Sequence, residues 1–254
     1  MIRAVLFDVG GTLHEVRHPP GLAERYCQTL LDRLAERGAA LPVTADSLAP
    51  LLHKNAEAYK HWSEEHLTEL PGVRIWNEFY LKDFRLGEEI LAPLAEDFSW
   101  MYDAVRVENV PRPHMRETIQ ALHASGLVLG IISNMISETF VPRLLESYEI
   151  TRYLSCVVVS SRTGTRKPSP AIFETAAREC GIPLAEMAYV GDTLSRDVLG
   201  CRNAGIPLSI QIQNPAMAFR DAGLAETGLA ADAVIRDLAE IPGIIQAYNS
   251  KCRP

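Results

Sequence analysis

Four groups of polar residues follow apolar stretches of the chain, and their side chains are suited to phosphate chemistry. Asp8 follows the first apolar run, Ser133 and Asn134 follow a second, and Lys167 and Asp192 follow two later ones. Carboxylates can hold a hard cation such as Mg²⁺, and a carboxylate can also attack phosphorus. Hydroxyl, amide and ammonium groups can hold phosphoryl oxygens and balance developing charge. The set therefore predicts a phosphoryl-transfer site, provided that the fold brings its members together.

The elements that must position these residues alternate between strands and helices. Apolar runs predict buried strands at residues 4–7, 128–132, 156–159, 187–190, 208–212 and 233–235. Helical patterns lie between the later strands, at residues 115–125, 137–148, 170–180 and 196–204, and a last helix starts at residue 237. This alternation predicts a parallel sheet with helices on both faces. Because ligands of such sheets bind beyond the carboxyl ends of the strands, we expect the four polar groups to meet there.

The stretch from residue 15 to residue 106 has a different character, since helical patterns follow one another without strands. These patterns cover residues 22–37, 47–62, 74–81 and 88–105. We therefore predict an α/β fold with two domains. A Rossmann-like, three-layer core with a parallel sheet comprises residues 1–14 and 107–254, and an inserted all-helical domain comprises residues 15–106.

Composition and charge exclude several classes of protein. The 254 residues carry 25 Lys and Arg against 32 Asp and Glu, a formal net charge of −7. Such a chain lacks the basic surface of a nucleic-acid binder and the polybasic stretch of a membrane-surface protein. No apolar run approaches the ~18 residues that span a bilayer, and the first residues do not resemble a secretory signal. We expect a cytoplasmic protein whose partner is a small phosphorylated metabolite; its oligomeric state is left open.

The five cysteines are scattered along the chain and show no metal-ligand spacing. In a cytoplasmic protein, this pattern indicates reduced thiols, mostly buried. They are Cys27, Cys156, Cys180, Cys201 and Cys252. We therefore assign them no function from the sequence.

The polar groups resemble, in order, the four motifs of the haloacid dehalogenase (HAD) superfamily. The first motif, Asp-x-Asp-x-Thr, is matched by the DVGGT segment from Asp8 to Thr12, and the second, a strand ending in Ser or Thr, by residues 130–134. The third, a lysine, is matched within residues 166–173, and the fourth, Gly-Asp-x(4)-Asp, by residues 191–197. The helical stretch after the first motif resembles the family's cap domain. The resemblance covers the whole predicted core.

The resemblance implies a role for each matching residue. Asp8 would be the nucleophile, and Asp197 would support the metal's water shell or orient Lys167. The implied ligands of Mg²⁺ are Asp8, Gly10 through its carbonyl, Asp192 and Asp197. The implied substrate-binding residues are Gly11, Thr12, Ser133, Asn134 and Lys167, and the implied catalytic residues are Asp8 and Lys167. The implied activity is Mg²⁺-dependent hydrolysis of small phosphomonoesters through an aspartyl phosphate on Asp8.

Gly10 departs from the pattern of the family's phosphatases, which carry a second aspartate there as general acid/base. Loss of a placed acid/base typically lowers a rate by ~10²–10⁴-fold. His14, a cap residue or a metal-bound water are the candidate replacements. Two alternatives follow from this departure. One is other HAD chemistry, such as phosphonate C–P cleavage, which needs a cap lysine (Lys54, Lys60 or Lys82); the other is a weakly active or inactive protein that binds a phosphorylated ligand.

Overall fold

The computed structural model describes residues 1–252 and contains two β-sheets. In chain order the strands are β1 (Ala4–Phe7), β2 (His14–Arg17), β3 (Glu108–Pro111), β4 (Val128–Ser133), β5 (Cys156–Val159), β6 (Met187–Gly191), β7 (Leu208–Ile212) and β8 (Ala233–Ile235). Six of them form a sheet in the order β5-β4-β1-β6-β7-β8, and every neighbouring pair in it is parallel. β2 and β3 form a separate antiparallel pair.

Helices cover both faces of the large sheet and fill the stretch between β2 and β3. In chain order they are α1 (Leu22–Glu36), α2 (Ala45–His66), α3 (Gly72–Ile75), α4 (Glu88–Leu91), α5 (Ala95–Ala104), α6 (Met115–Ala124), α7 (Phe140–Ser147), α8 (Ser160–Thr163), α9 (Pro170–Cys180), α10 (Leu199–Ala204), α11 (Ala218–Ala225) and α12 (Ile241–Lys251). Two π-helical turns precede or follow them, at Trp76–Tyr80 and Leu194–Val198. No helix within residues 1–252 is long and apolar enough to cross a membrane.

Strand β1 shows why the core has three layers. Its alternate residues Val5 and Phe7 belong to one buried apolar cluster, and Ala4 and Leu6 belong to another on the opposite face. Side chains alternate across a strand, so a strand that is apolar throughout must be covered on both faces. Full burial of each large apolar side chain contributes ~1.5–3 kcal/mol. The predicted α/β fold with a Rossmann-like parallel sheet is confirmed.

The strand order places the carboxyl ends of β4, β1 and β6 side by side. β1 lies between β4 and β6 at the centre of the sheet. From β1 the chain first builds outward through β4 and β5, and it then returns to build β6, β7 and β8 on the other side. The strand order therefore reverses at β1, and such a switch point opens a crevice at the carboxyl ends of the strands. Asp8, Ser133 and Asp192 stand at this crevice.

The helices α1–α5 enclose an apolar cluster of their own. Its largest fully buried side chains include Tyr26, Tyr59, Trp76 and Phe98. The antiparallel pair β2–β3 lies where the chain leaves the large sheet and returns to it. The helical stretch is thus a packed unit, and two short strands connect it to the rest of the chain.

Some predicted elements differ from the structure. The pattern at residues 88–105 predicts one helix, but the structure has α4 and α5, because Pro93 has no N–H to donate and its ring crowds the preceding turn. The helix predicted at 137–148 begins only at Phe140. The predicted helix at 196–204 starts as a π-helical turn before α10. Strands β2 and β3 and helix α11 were not predicted.

Candidate active site

Three carboxylates meet at the crevice. Asp8 follows β1 directly, Asp192 follows β6, and Asp197 lies in the π-helical turn after it. One oxygen from each lies within 4.8 Å of the others, and all three residues are buried. Burial raises the pKa of Asp8, although the nearby Lys167 ammonium counteracts it. So many buried negative charges need cations or hydrogen-bond donors around them.

Lys167 supplies one of these cations. Its Nζ donates to Asp8 Oδ1 at 2.7 Å, to Asp197 Oδ1 at 2.7 Å and to the Tyr189 hydroxyl at 2.8 Å. Burial by itself would lower the pKa of Lys167, but the charges of Asp197 and Asp8 outweigh it and raise that pKa. The lysine is therefore held protonated beside Asp8. Sequence reasoning missed Tyr189, although a hydroxyl inside an apolar strand was a usable signal.

Asp197 is bound mainly by protein donors. Its Oδ2 accepts from the Asp192 N–H at 3.2 Å, and from the Thr193 N–H at 3.0 Å and the Thr193 hydroxyl at 2.6 Å. Burial acts against ionisation, but Lys167 and Arg196 outweigh it and lower the pKa of Asp197 to about 2. With Oδ1 on Lys167 and Oδ2 on three donors, this carboxylate orients the lysine and the start of the turn.

Asp192 differs from Asp197 because one of its oxygens has no donor. Oδ2 accepts from Asn214 Nδ2 at 2.8 Å, whereas Oδ1 is buried without a hydrogen-bond partner in the described chain. Burial, with the negative charge of Asp197, raises the pKa of Asp192 to about 7. A buried carboxylate oxygen without a partner lowers the stability of the fold, because it has lost its hydrogen bonds to water. A cation bound to this oxygen would compensate for that loss. Asn214 follows β7, so the strand-end rule that singled out Asp192 applied to it as well.

The backbone of the loop after β1 lies against the carboxylate of Asp192. Gly11 has φ +83°, and a Cβ on it would lie 2.1 Å from Asp192 Oδ2. The Thr12 hydroxyl donates to Asp8 Oδ2 at 3.3 Å. The guanidinium of Arg112 donates from Nε and Nη2 to the Gly11 carbonyl at 3.0 and 2.8 Å. Glycine is therefore required at position 11, and Arg112, which no sequence signal marked, fixes the loop.

The space beside Gly10 is open. A Cβ on Gly10 would have His14 Nε2 at 3.9 Å as its nearest neighbour. The His14 side chain is buried, and its Nδ1 has no hydrogen-bond partner within residues 1–252. Burial, together with the charge of Arg112, lowers the pKa of His14 to about 4. The imidazole nearest to Gly10 is therefore neutral at neutral pH.

Ser133 and Asn134 lie at the end of β4 but differ in whether their side chains are already hydrogen-bonded within the protein. The buried Ser133 hydroxyl makes no hydrogen bond to another described residue, so it is available to a ligand. The Asn134 amide instead binds the Lys167 backbone, donating from Nδ2 to the carbonyl at 3.0 Å and accepting from the N–H at 2.8 Å. Asn134 thus holds Lys167 in place with its side chain.

The structure brings every sequence-predicted site residue to one edge of the sheet. Asp8, Lys167, Asp192 and Asp197 form its charged centre, and the loop residues Gly10, Gly11 and Thr12 with Ser133 and Asn134 border it. A buried carboxylate beside a protonated lysine, an available hydroxyl and an unpartnered carboxylate oxygen suit an oxyanion ligand together with a hard cation.

A family comparison agrees with this geometry. The family model described as "haloacid dehalogenase-like hydrolase" matches residues 2–205. The chain belongs to this family of hydrolases, and it is an enzyme. The predicted resemblance to the HAD superfamily is confirmed.

Individual relatives extend the comparison over nearly the whole chain. The phosphoglycolate phosphatase of Salmonella typhimurium is 31% identical over 212 residues, which cover 81% of this chain and 79% of that enzyme. The phosphoglycolate phosphatase of Agrobacterium fabrum is 29% identical over 248 residues, 97% of this chain and 94% of that enzyme. The crystal structure of a HAD phosphatase from Thermococcus onnurineus has a TM-score of 0.62 and 23% identity, covering 96% of this chain and 98% of its own, which shows a shared fold.

Proposed function

We propose that this protein is a Mg²⁺-dependent phosphatase of small phosphomonoesters that works through an aspartyl phosphate on Asp8. The observation that carries the proposal is that Asp8 lies 2.7 Å from the Lys167 ammonium and clusters with Asp192, one of whose oxygens is buried without a hydrogen-bond partner in the described chain. The phosphoglycolate phosphatases among the relatives support it. A small phosphorylated metabolite is the corresponding substrate class.

The donor set fits a hard divalent cation. Asp8 and Asp192 offer carboxylate oxygens, the Gly10 carbonyl lies in the same loop, and one Asp192 oxygen lacks any protein donor. These are the oxygen ligands that Mg²⁺ prefers. We assign the metal to Asp8, Asp192 and the Gly10 carbonyl, with Asp197 orienting Lys167 beside it. When bound, Mg²⁺ would neutralise charge on the phosphoryl oxygens.

The first step is displacement at phosphorus. An oxygen of Asp8 attacks the phosphorus atom, the bond to the leaving-group oxygen breaks, and an acyl phosphate forms on Asp8. Lys167 Nζ and the Ser133 hydroxyl stabilise the phosphoryl oxygens as charge builds on them. In the second step a water attacks the phosphorus of the acyl phosphate, which releases inorganic phosphate and restores the Asp8 carboxylate.

The site lacks an obvious general acid to protonate the leaving group. Gly10 offers no side chain, and the neighbouring His14, with its pKa lowered to about 4, is not in the acidic imidazolium form at neutral pH. The leaving group must therefore depart without a strong acid. We propose that turnover is slow for alkyl phosphates and faster for substrates whose leaving group is already a weak base.

We propose that residues 15–106 act as a cap over the site and that residues 1–14 and 107–254 form the core. Several polar contacts join the two parts in the structure. Glu96 accepts from the Ser137 hydroxyl at 2.7 Å, and Arg220 of the core pairs with Glu57 and Glu64 of α2 at 3.3 Å. Opening of these contacts would admit substrate, and closing would exclude bulk water.

One observation favours C–P cleavage of a phosphonate as the second candidate. Of the three lysines in the proposed cap, Lys54 and Lys82 are exposed, whereas Lys60 is partly buried. Burial, with the charges of Arg220 and Arg196, lowers the pKa of Lys60 to about 8. A lysine with a lowered pKa is a better amine nucleophile towards a carbonyl carbon. Release of phosphate from phosphonoacetaldehyde, which has both a carbonyl carbon and a C–P bond, tests this second candidate.

The deciding experiment measures phosphate release from a panel of phosphomonoesters that includes 2-phosphoglycolate, with Mg²⁺ and with chelator. An Asp8→Asn variant is the site control, and Asp232→Asn, whose carboxylate bonds Ser209 away from the crevice, is the matched control. We expect release that needs Mg²⁺ and Asp8 but not Asp232. Release by none of the folded proteins would refute the phosphatase, and release from phosphonoacetaldehyde alone would establish the second candidate.

A further inference from the structure

Two cysteines of the core bring their sulfur atoms together. Cys156 Sγ and Cys180 Sγ are 2.8 Å apart, although 24 positions separate the residues. Cys156 begins β5 and is buried, and Cys180 ends α9 and is partly exposed. Non-bonded heavy atoms attract best at ~3.5–4.0 Å, and bonded sulfurs lie at ~2.05 Å. The two thiols are thus closer than an ordinary packing contact, and little movement would join them.

The neighbouring strand leaves room for both sulfurs. At Gly130, in the middle of β4, a Cβ would lie 2.5 Å from Cys156 Sγ, 2.8 Å from Leu6 Cδ2 and 3.3 Å from Cys180 Sγ. Glycine inside a buried strand weakens the strand and often marks a close approach of another group. Here the approaching groups are Cys156 Sγ and Leu6 Cδ2, with Cys180 Sγ next. A side chain at Gly130 would therefore displace Cys156 Sγ from its present position beside Cys180.

The two thiols are not equivalent. The hydrogen bond between the two sulfurs lowers the pKa of Cys180, although burial opposes this. The same bond and burial raise the pKa of Cys156. Thiolates react with oxidants, and reactive cysteines are partly exposed. Cys180 is therefore the cysteine that reacts first, and Cys156 is placed to react with its product.

We propose that Cys156 and Cys180 form a redox modification site, which a hydroperoxide converts to a disulfide. The Cys180 thiolate attacks one peroxide oxygen, the O–O bond breaks, and a sulfenic acid forms while the other oxygen leaves and takes up a proton. The Cys156 sulfur then attacks the Cys180 sulfur, the S–O bond breaks, and hydroxide leaves with the Cys156 proton as water. With hydrogen peroxide, two thiols become one disulfide and the peroxide becomes two waters.

This site lies away from the carboxylate cluster. Cys156 is at the amino end of β5, whereas Asp8 and Ser133 lie at the carboxyl ends of their strands. Oxidation of the pair therefore leaves the carboxylate site intact, and the inference does not depend on the proposed function. Its test counts thiols and does not measure phosphate release.

The experiment uses the full chain with Cys252→Ser, because Cys252 is exposed and reacts on its own. The protein is treated with equimolar hydrogen peroxide, denatured, alkylated without reductant and analysed by mass spectrometry. We expect two cysteines to escape alkylation, a peptide pair joined through Cys156 and Cys180, and full recovery after dithiothreitol. The buried Cys27 and Cys201 are internal controls that stay alkylated.

Two further variants keep the test decisive. Cys180→Ser should lose the peroxide-dependent change at Cys156, and Cys156→Ser, which keeps a hydroxyl group beside Cys180, should accumulate a sulfenic acid on Cys180, detected with dimedone. Circular dichroism checks that each variant is folded. Alkylation of both cysteines after peroxide treatment, or a sulfenic acid that persists on Cys180 when Cys156 is present, would overturn the proposal.

Discussion

Lys167 Nζ lies 2.7 Å from Asp8 Oδ1, and this contact joins residues that are 159 positions apart in the chain. Asp197 Oδ1 accepts from the same ammonium, also at 2.7 Å, so two buried carboxylates hold the lysine. A buried cation so placed favours the ionised form of Asp8 and attracts an incoming phosphoryl group. The proposed nucleophile, Asp8, and the ammonium proposed to stabilise the transferred phosphoryl group are therefore positioned before substrate binds.

The missing acid/base at position 10 can be restored. The nearest atom to a Cβ there is 3.9 Å away, and Gly10 does not have a left-handed backbone. Gly10→Asp should therefore fold normally and raise kcat for alkyl phosphates by ~10²-fold or more. Gly10→Asn has the same shape without a transferable proton and should give no increase. Steady-state kinetics of the two variants test the account, and equal rates for both would contradict it.

Gly11 should tolerate no side chain. Gly11→Ala would place a Cβ 2.1 Å from Asp192 Oδ2 and would also strain a backbone at φ +83°. The matched control is Gly21→Ala, which has φ +81° and nothing within 4 Å. The backbone cost is common to both variants, ~1–2 kcal/mol. Calorimetric titration should show weakened Mg²⁺ binding for Gly11→Ala alone; equal loss in both variants would show that strain, not displacement of Asp192, is responsible.

The proposed cap is joined to the core by a buried ion pair between Glu69 and Arg166. Glu69 also accepts from the Tyr59 hydroxyl and from the Ser160 hydroxyl, the latter at 2.5 Å. Removing one partner leaves the charge of the other buried and uncompensated. Glu69→Gln and Arg166→Met should therefore each lower the free energy of unfolding by ~3–5 kcal/mol. The double variant should lose much less than the sum. Urea denaturation of all four proteins tests this, and simple additivity would rule out a coupled pair.

His14 should make stability depend on pH. Its pKa in the folded protein is about 4, below the ordinary 6.5. The unfolded chain therefore binds more protons between these values, so stability falls as pH drops from about 6.5 to about 4. The lowered pKa corresponds to about 3 kcal/mol over that window. His14→Gln cannot titrate and should show a flatter pH dependence of unfolding; parallel curves for the two proteins would contradict this origin.

Much of the fold was predictable because its determinants are local. Strands β1, β4 and β6 are continuous apolar runs, and polar residues follow each of them, as Asp8 and Asp192 show. Strands β2 and β3 gave no such signal, since β2 reads His-Glu-Val-Arg and is largely exposed at its end. Their pairing depends on contacts between residues far apart in the chain, which local patterns do not encode.

Site residues were predictable where their type and their position after a strand indicate a role. They were not predictable where the role depends on a contact with a residue far away in the chain. Asn214 follows a strand and could have been found by the rule that found Asp192. Arg112 reaches the Gly11 carbonyl from 101 positions away, and nothing near it in the sequence indicates this. The Asn134 amide lies at the predicted place, but only the structure shows that it binds the Lys167 backbone.

The central claim, a phosphoryl group carried by Asp8, is tested most directly by trapping it. The enzyme is mixed with Mg²⁺ and a phosphomonoester that it hydrolyses, quenched in acid during turnover and reduced with borohydride, which converts an aspartyl phosphate to homoserine. Peptide mass spectrometry should find homoserine at position 8 only when both substrate and Mg²⁺ are present. An unmodified Asp8 in a sample that is releasing phosphate would contradict the mechanism.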